Sequence, residues 1–204
     1  QHVTQLIPLA EKTGSESLRF GAVMNMAHLL VLQKRFDEAL TFIEGAFEER
    51  GYGGGSAIAL RDTLSLLYLS LGAYDKAQME LDRIADLLKH SGGSESWLGL
   101  AHLLHKVKLQ YFLGDPAGGL ATALDAIPRI ESISGKSVLA RMRLLAAEGL
   151  LRTGRTTEAT ALAADTLRHD LDPPLEGHAA VDQKTIHRIP TPGEVGPSLR
   201  QPGL

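Results

Sequence analysis

Punctuation at near-regular intervals constrains this 204-residue chain more than any other feature. Glycine stands beside or near serine at Gly14-Ser15, Gly55-Ser56, Gly93-Ser94 and Gly135-Lys136-Ser137, and successive serines are 41, 38 and 43 residues apart. A glycine just past a helix end takes the left-handed cap without steric cost, and a serine accepts hydrogen bonds from the free N–H groups of the next helix. A second break falls midway through each interval, at Lys34-Arg35, Leu71-Gly72-Ala73, Leu113-Gly114-Asp115-Pro116 and Thr153-Gly154-Arg155. The unit is therefore helix, short turn, helix, and it is expected four times.

The apolar spacing asks for helices. Leu60, Leu64, Leu67, Tyr68 and Leu71 recur at steps of three and four and form one stripe. Leu100, Leu103, Leu104, Val107 and Tyr111 repeat the pattern, as do Leu139, Met142, Ala146 and Leu150. The second helices carry narrower stripes: Ala39, Ile43 and Ala46, then Ala77, Leu81 and Ile84. Small residues there let two backbones approach closely. Aromatic residues are only 5% of the chain, so the core must be aliphatic and the fold all-α. Val3 to Thr13 reads as a helix without a partner, with Leu6, Leu9 and Ala10 on its apolar face. The opening at Gln1, without Met or a signal region, reads as a piece excised from a longer protein.

Two segments are expected: a helical repeat domain over 1–170 and an extended tail over 171–204. The tail holds six of the nine prolines and no aromatic residue, a composition that cannot continue a helix. The absence of cysteine excludes disulfides, thiolate zinc sites and cysteine nucleophiles. A net charge of −3 argues against a dedicated nucleic-acid binder. No run is long and apolar enough for a membrane span.

The stretch from Leu64 to Ala77 resembles the core of a tetratricopeptide repeat (TPR), with Leu64, Ser65, Tyr68, Gly72, Tyr74 and Ala77 at that family's characteristic places. The preceding unit matches through Met26, Ala27, Leu30, Phe36, Ala39, Ile43 and Ala46, with Lys34 where the turn glycine belongs. The fourth matches through Ala147, Leu150, Gly154 and Ala159. The third keeps Gly114 but has Pro116 in place of the turn aromatic and Gly119 in place of the packing alanine, which predicts a less regular hairpin. Equivalent positions Ala39, Ala77, Gly119 and Ala159 are 38, 42 and 40 apart, longer than the standard period of about 34. Such long repeats are similar to those in sensor domains of large bacterial LuxR-like regulators and in kinesin light chains, and the period does not choose between them.

The resemblance implies a right-handed superhelical solenoid of about four antiparallel hairpins, with an N-terminal helix and the tail. It implies first helices lining a concave face, and a cytoplasmic, non-catalytic module that binds a protein or peptide there. Carried over by residue, the partner-binding set is His28, Asp62, Leu66, Lys108, Tyr111, Arg141, Glu148 and Arg152. Met24, Val31, Leu69, Leu104 and Leu144 complete the lining. The competing reading packs some of these between units or leaves them solvated. The chain's own tail and a second copy are further candidate occupants. No cofactor, nucleic acid or membrane is expected. The alternative function is an effector-sensing domain of a bacterial regulator or signalling protein, which would need a closed pocket of ~300 Å³ or more.

Other chemistry is thin. Gly51 to Ser56 is glycine-rich like a phosphate cradle but follows a helix, so a flexible connector is expected. Gly135-Lys136-Ser137 is similar to the end of a P-loop, yet the required upstream glycine falls on Ile130. His102 and His105 stand one turn apart, too few for a metal site, and read as surface or groove histidines. Trp97 is expected to pack against the second hairpin, with an exposed anchor as the alternative. Asp170 and Asp172 are expected to solubilise the tail.

Overall fold

The computed structural model describes residues 6–50, 54–133 and 136–169. The tail, residues 51–53 of the glycine-rich connector, Gly135 and the residues before Leu6 lie outside that set. The described residues form helices α1 (Leu6–Lys12), α2 (Glu16–Leu32), α3 (Phe36–Arg50), α4 (Gly54–Ser70), α5 (Tyr74–Ser91), α6 (Trp97–Ala101), α7 (Leu103–Phe112), α8 (Pro116–Ser132), α9 (Lys136–Arg152) and α10 (Thr156–His169). They contain no strand. α1 packs on α2, and four hairpins follow: α2/α3, α4/α5, α6–α7/α8 and α9/α10.

One turn design closes all four hairpins. Lys34, Gly72, Gly114 and Gly154 take positive φ, from 59° to 81°. Each time, the N–H of the next residue reaches back to the carbonyl five residues before it: Arg35 to Leu30, Ala73 to Tyr68, Asp115 to Gln110 and Arg155 to Leu150. This 6→1 bond, with the accompanying bond from the left-handed residue itself, satisfies carbonyls that the helix end would otherwise orphan. Lys34 is the one non-glycine in this geometry, and a side chain there costs roughly 1 kcal/mol. Lys34→Gly is accordingly expected to raise stability by up to about 1 kcal/mol, read as a higher midpoint in urea; an unchanged or lower midpoint would contradict the turn assignment.

The third hairpin closes with the same turn as the others, but its first helix is divided at His102 into α6 and α7, so it is the less regular one as expected, though the irregularity does not fall at Pro116 or Gly119. Pro116 is the first residue of α8, where its missing N–H would have been free anyway. Asp115 caps the same helix, accepting from the Gly118 N–H at 2.8 Å. The serine caps were placed less well. Ser15 caps α2, accepting from Leu18 N. Ser96 rather than Ser94 caps α6, accepting from Gly99 N. Ser56 and Ser137 lie inside the first turns of α4 and α9.

The hairpins stack in chain order. First helices α2, α4, α7 and α9 pack side by side in that order, and each second helix also packs against the following first helix. The core is correspondingly a chain of three patches. One joins Leu30, Ile43 and Leu67, a second joins Leu69, Ile84 and Leu109, and the third joins Leu100, Ile130, Met142 and Leu150. Burying each such aliphatic contributes about 1.5–3 kcal/mol. Ala39 and Ala77 are fully buried at the close approach of paired helices. Glu80 on α5 is buried and bonded to Arg61 at 2.7 Å and to Arg83, while Arg61 lies over the Phe47 ring at 5.1 Å. That network fastens the first hairpin to the second.

Candidate functional site

The row of first helices curves. α2 and α9 stand at its two ends, yet both contribute to one hollow. This hollow, of about 250 Å³, is lined by Met24 and His28 of α2, Asp62 of α4, Trp97, Leu104 and His105 of α6–α7, and Val138 and Arg141 of α9, among others. A second hollow of about 200 Å³ lies further along the same helices, lined by Leu66, Leu69, Ser70, Lys108, Tyr111, Phe112, Glu148 and Arg152. On α4, α7 and α9 the residues of the second hollow follow those of the first in the chain, so the hollows succeed one another along the curved face.

All eight residues picked from the sequence line these hollows. His28, Asp62 and Arg141 belong to the first, and Leu66, Lys108, Tyr111, Glu148 and Arg152 to the second. Met24, Leu104 and Leu69 are also there. Val31 is buried instead in the packing between hairpins, and Leu144 is exposed outside both hollows.

Trp97 is 53% exposed at the rim of the first hollow, the alternative to packing against the second hairpin. His102 is buried and lines neither hollow, whereas His105, also buried, lines the first hollow as a groove histidine. His105 Nδ1 donates to Asp62 Oδ1 at 2.8 Å and lies 3.3 Å from Ser65 Oγ, which ties α7 to α4. His102 Nδ1 meets the Gly99 carbonyl at 2.5 Å, at the break that divides α6 from α7. A signal for Trp97 and His105 did exist: stepping back from Lys108 by threes and fours gives His105, Leu104, Ala101 and Trp97, one face of one helix.

The electrostatics follow first from burial and then from neighbouring charges. Burial pulls His28 below its usual value, and Arg141 and His105 pull it further, against a weaker opposing pull from Asp62. Burial likewise lowers His102. Lys108 is half-buried, and burial followed by the nearby Arg141 lowers it, with Glu148 opposing. Tyr111 is pushed up to about 12, by burial first and by Glu148 next. Its hydroxyl donates to the Leu145 carbonyl at 2.8 Å, and Arg152, itself paired to Glu148 at 2.7 Å, lies over its ring at 5.3 Å. Tyr111 thus forms the floor of the second hollow. Phe112 at its rim stacks on Tyr74 at 5.3 Å.

Charge pairing is uneven. Asp62 is engaged by His105, and Glu148 by Arg152. Among the described residues neither Lys108 nor Arg141 has a carboxylate within ion-pair distance or a side-chain hydrogen bond. No group of three or more His, Asp or Glu is placed to hold a metal among the described residues, and none of their helices is long and apolar enough to cross a membrane.

No family model and no curated protein matches this chain. Among solved structures, the chain is similar to one from Podosopora anserina described as a kinesin light chain with nearly identical TPR-like repeats. The TM-score is 0.56 at 16% identity, over 81% of this chain and 82% of that one. Likeness at this identity concerns architecture alone, and it agrees with the hairpin stacking, the uniform turns and the curved first-helix row. The chain therefore folds as an all-α, right-handed superhelical solenoid of TPR-like hairpins.

Proposed function

We propose that this chain is a non-catalytic interaction module that binds an extended protein segment along its curved first-helix face, as a cytoplasmic part of a larger assembly. The observation that carries this is the lining of two successive hollows by side chains from every first helix, mixing apolar, aromatic and charged groups. Each hollow is below the ~300 Å³ of a dedicated small-molecule site and suits individual side chains of a longer ligand. Met24, Leu66 and the exposed Trp97 supply contact area, while the charged groups fix register.

The test is a selection from a randomised peptide library, followed by binding measurements on Met24→Glu and Leu66→Glu variants of confirmed helicity. Both substitutions place a carboxylate in a hollow. Selected peptides are expected to lose at least about tenfold in affinity, or about 1.4 kcal/mol. Binding that survives both variants would remove this face from consideration. The effector-sensing alternative, including a LuxR-like regulator, gains support instead if a metabolite raises the melting temperature while the library gives no binder.

A further inference from the structure

We infer that a second copy of this chain docks on the hairpin-turn edge of the stack, across a two-fold axis through the second turn, giving a symmetric dimer. The first turn of each copy then lies on the third turn of the other. This dimer does not depend on the binding face.

The turns carry an apolar row. Leu32 ends α2, Leu71 directly precedes Gly72, and Phe112 and Leu113 lead into Gly114. Each leaves more than half of its surface open, from 51% for Leu71 and Phe112 to 64% for Leu32. They form one patch: Ser70 and Phe112 meet in the second hollow, Phe112 stacks on Tyr74 just after the second turn, and α2 packs beside α4. Together they present on the order of 400 Å² of surface, the size at which exposed apolar area marks an interaction site. A standard interface takes about 800 Å² from each partner, about 56–65% of it apolar. This edge therefore supplies most of one copy's apolar share.

Charge selects a second copy as the occupant. The first turn carries Lys34, the third Asp115, and the second Asp75 beside Lys76. All four are exposed, and none has an ion pair among the described residues. Asp115 caps α8 through Oδ1, which leaves Oδ2 for a cation. Arg35 at the first turn and Arg155 at the fourth are already paired, with Glu38 and Glu158. First helices packed side by side stand roughly 8–10 Å apart, so a two-fold axis through the second turn carries the first turn onto the third. Leu32 then meets the partner's Leu113, Leu71 meets the partner's Leu71, and Lys34 meets the partner's Asp115. Asp75 and Lys76 face the partner's Lys76 and Asp75, while Asp37 lies opposite the partner's Ala117 and meets no like charge. An edge that runs positive, balanced, negative is complementary to itself, as a two-fold contact requires. Lys34 is also the one non-glycine among the four left-handed turn residues. A charge used in the contact accounts for lysine at a position where glycine costs less.

Sedimentation velocity of the whole chain is the experiment. Wild type is expected to pass from monomer to dimer with a dissociation constant in the micromolar range, below about 100 µM. Leu71→Glu sets two carboxylates against each other on the axis and is expected to weaken the dimer at least about a hundredfold, and Lys34→Glu, which opposes Asp115, at least about tenfold. Adding Asp115→Asn to Lys34→Glu keeps a helix cap and removes the repulsion, so most of the lost affinity should return. Leu151→Glu alters an exposed leucine before the fourth turn, outside the contact, and should change nothing. All the substituted residues are exposed, so each variant is expected to keep wild-type helicity by circular dichroism. Should Leu71→Glu fail to fold, Lys34→Glu and its rescue decide. A wild type monomeric throughout that range would overturn the inference. So would a dimer that survives Lys34→Glu or a folded Leu71→Glu, one that Asp115→Asn does not rescue, or one lost as readily in Leu151→Glu. A monomer that sediments with phosphatidylcholine vesicles would give the edge to a lipid surface and overturn it as well.

Discussion

Tyr111→Ala is expected to destabilise the fold by about 3–5 kcal/mol, the range for truncating a buried aromatic. The ring sits in a slot cut by two glycines on different helices. A Cβ on Gly119 of α8 would come within 2.2 and 2.5 Å of its Cε1 and Cδ1, and a Cβ on Gly149 of α9 within 2.3 Å of its hydroxyl. The residue thus wedges the third hairpin to the first helix of the fourth. Tyr111→Phe keeps the wedge and loses only the bond to the Leu145 carbonyl, so about 1 kcal/mol is expected. Gly119→Ala separates packing from helix propensity. Propensity alone would make it stabilising by up to about 1 kcal/mol, whereas the clash predicts a net loss of about 1–3 kcal/mol. In the Tyr111→Ala background the new methyl enters vacated space, and its effect should reverse sign. Urea denaturation followed by circular dichroism gives all four corners of the cycle. Gly119→Ala stabilising the wild-type chain would show that the ring is not held there. Because a solenoid's stability is a sum over adjacent units, hydrogen exchange in Tyr111→Ala should show protection lost first over 116–169 and kept over 16–91.

That slot marks where sequence reasoning stopped. The hairpin turns were legible because backbone geometry dictates them: a left-handed residue needs glycine or tolerates a lysine, and the position recurs at Lys34, Gly72, Gly114 and Gly154. First-helix stripes were legible for the same local reason, whereas the eight candidate residues, which line the two hollows, came from the family resemblance and not from the spacing. Gly119 looked like a defect because its partner, Tyr111, lies on the neighbouring helix, and compensation between helices leaves no mark in local spacing. The groove reading of His105 held, but its burial and its partner left no local mark either, since Asp62 stands 43 residues away. For Trp97 the exposed alternative held over packing against the second hairpin, because α6 begins at the rim of a hollow, where an indole is half wet. Which charges remain unpaired is a property of the assembled face, and no single repeat contains it.

Gly99→Ala is expected to have the second-largest effect, about 2–3 kcal/mol destabilising, and to weaken binding beyond that loss. A Cβ at Gly99 would meet the Gly93 carbonyl oxygen at 2.4 Å and the Ser94 carbonyl oxygen and carbon at 2.6 and 2.8 Å. These are backbone atoms and cannot swing aside as a side chain would. Gly93 O is moreover fixed by two hydrogen bonds, from the Ser96 N–H at 2.9 Å and the Ser96 hydroxyl at 2.6 Å. Ser96 in turn caps α6 through the Gly99 N–H at 3.1 Å. The close approach of helix and loop therefore sets where α6 starts, and with it where Trp97 and Leu98 stand at the first hollow. Relief of the clash has to move the helix start, and the hollow moves with it. Gly21 on α2 and Gly45 on α3 are the internal controls, since a Cβ at either meets nothing within 4 Å. There the same substitution should stabilise by up to about 1 kcal/mol through helix propensity. Opposite signs for one chemical change, read from urea midpoints, test the geometry directly. A selected peptide's affinity, measured well below the Gly99→Ala melting temperature, then tests the link to the site. Full affinity in the destabilised variant would show that the α6 start does not shape the binding face.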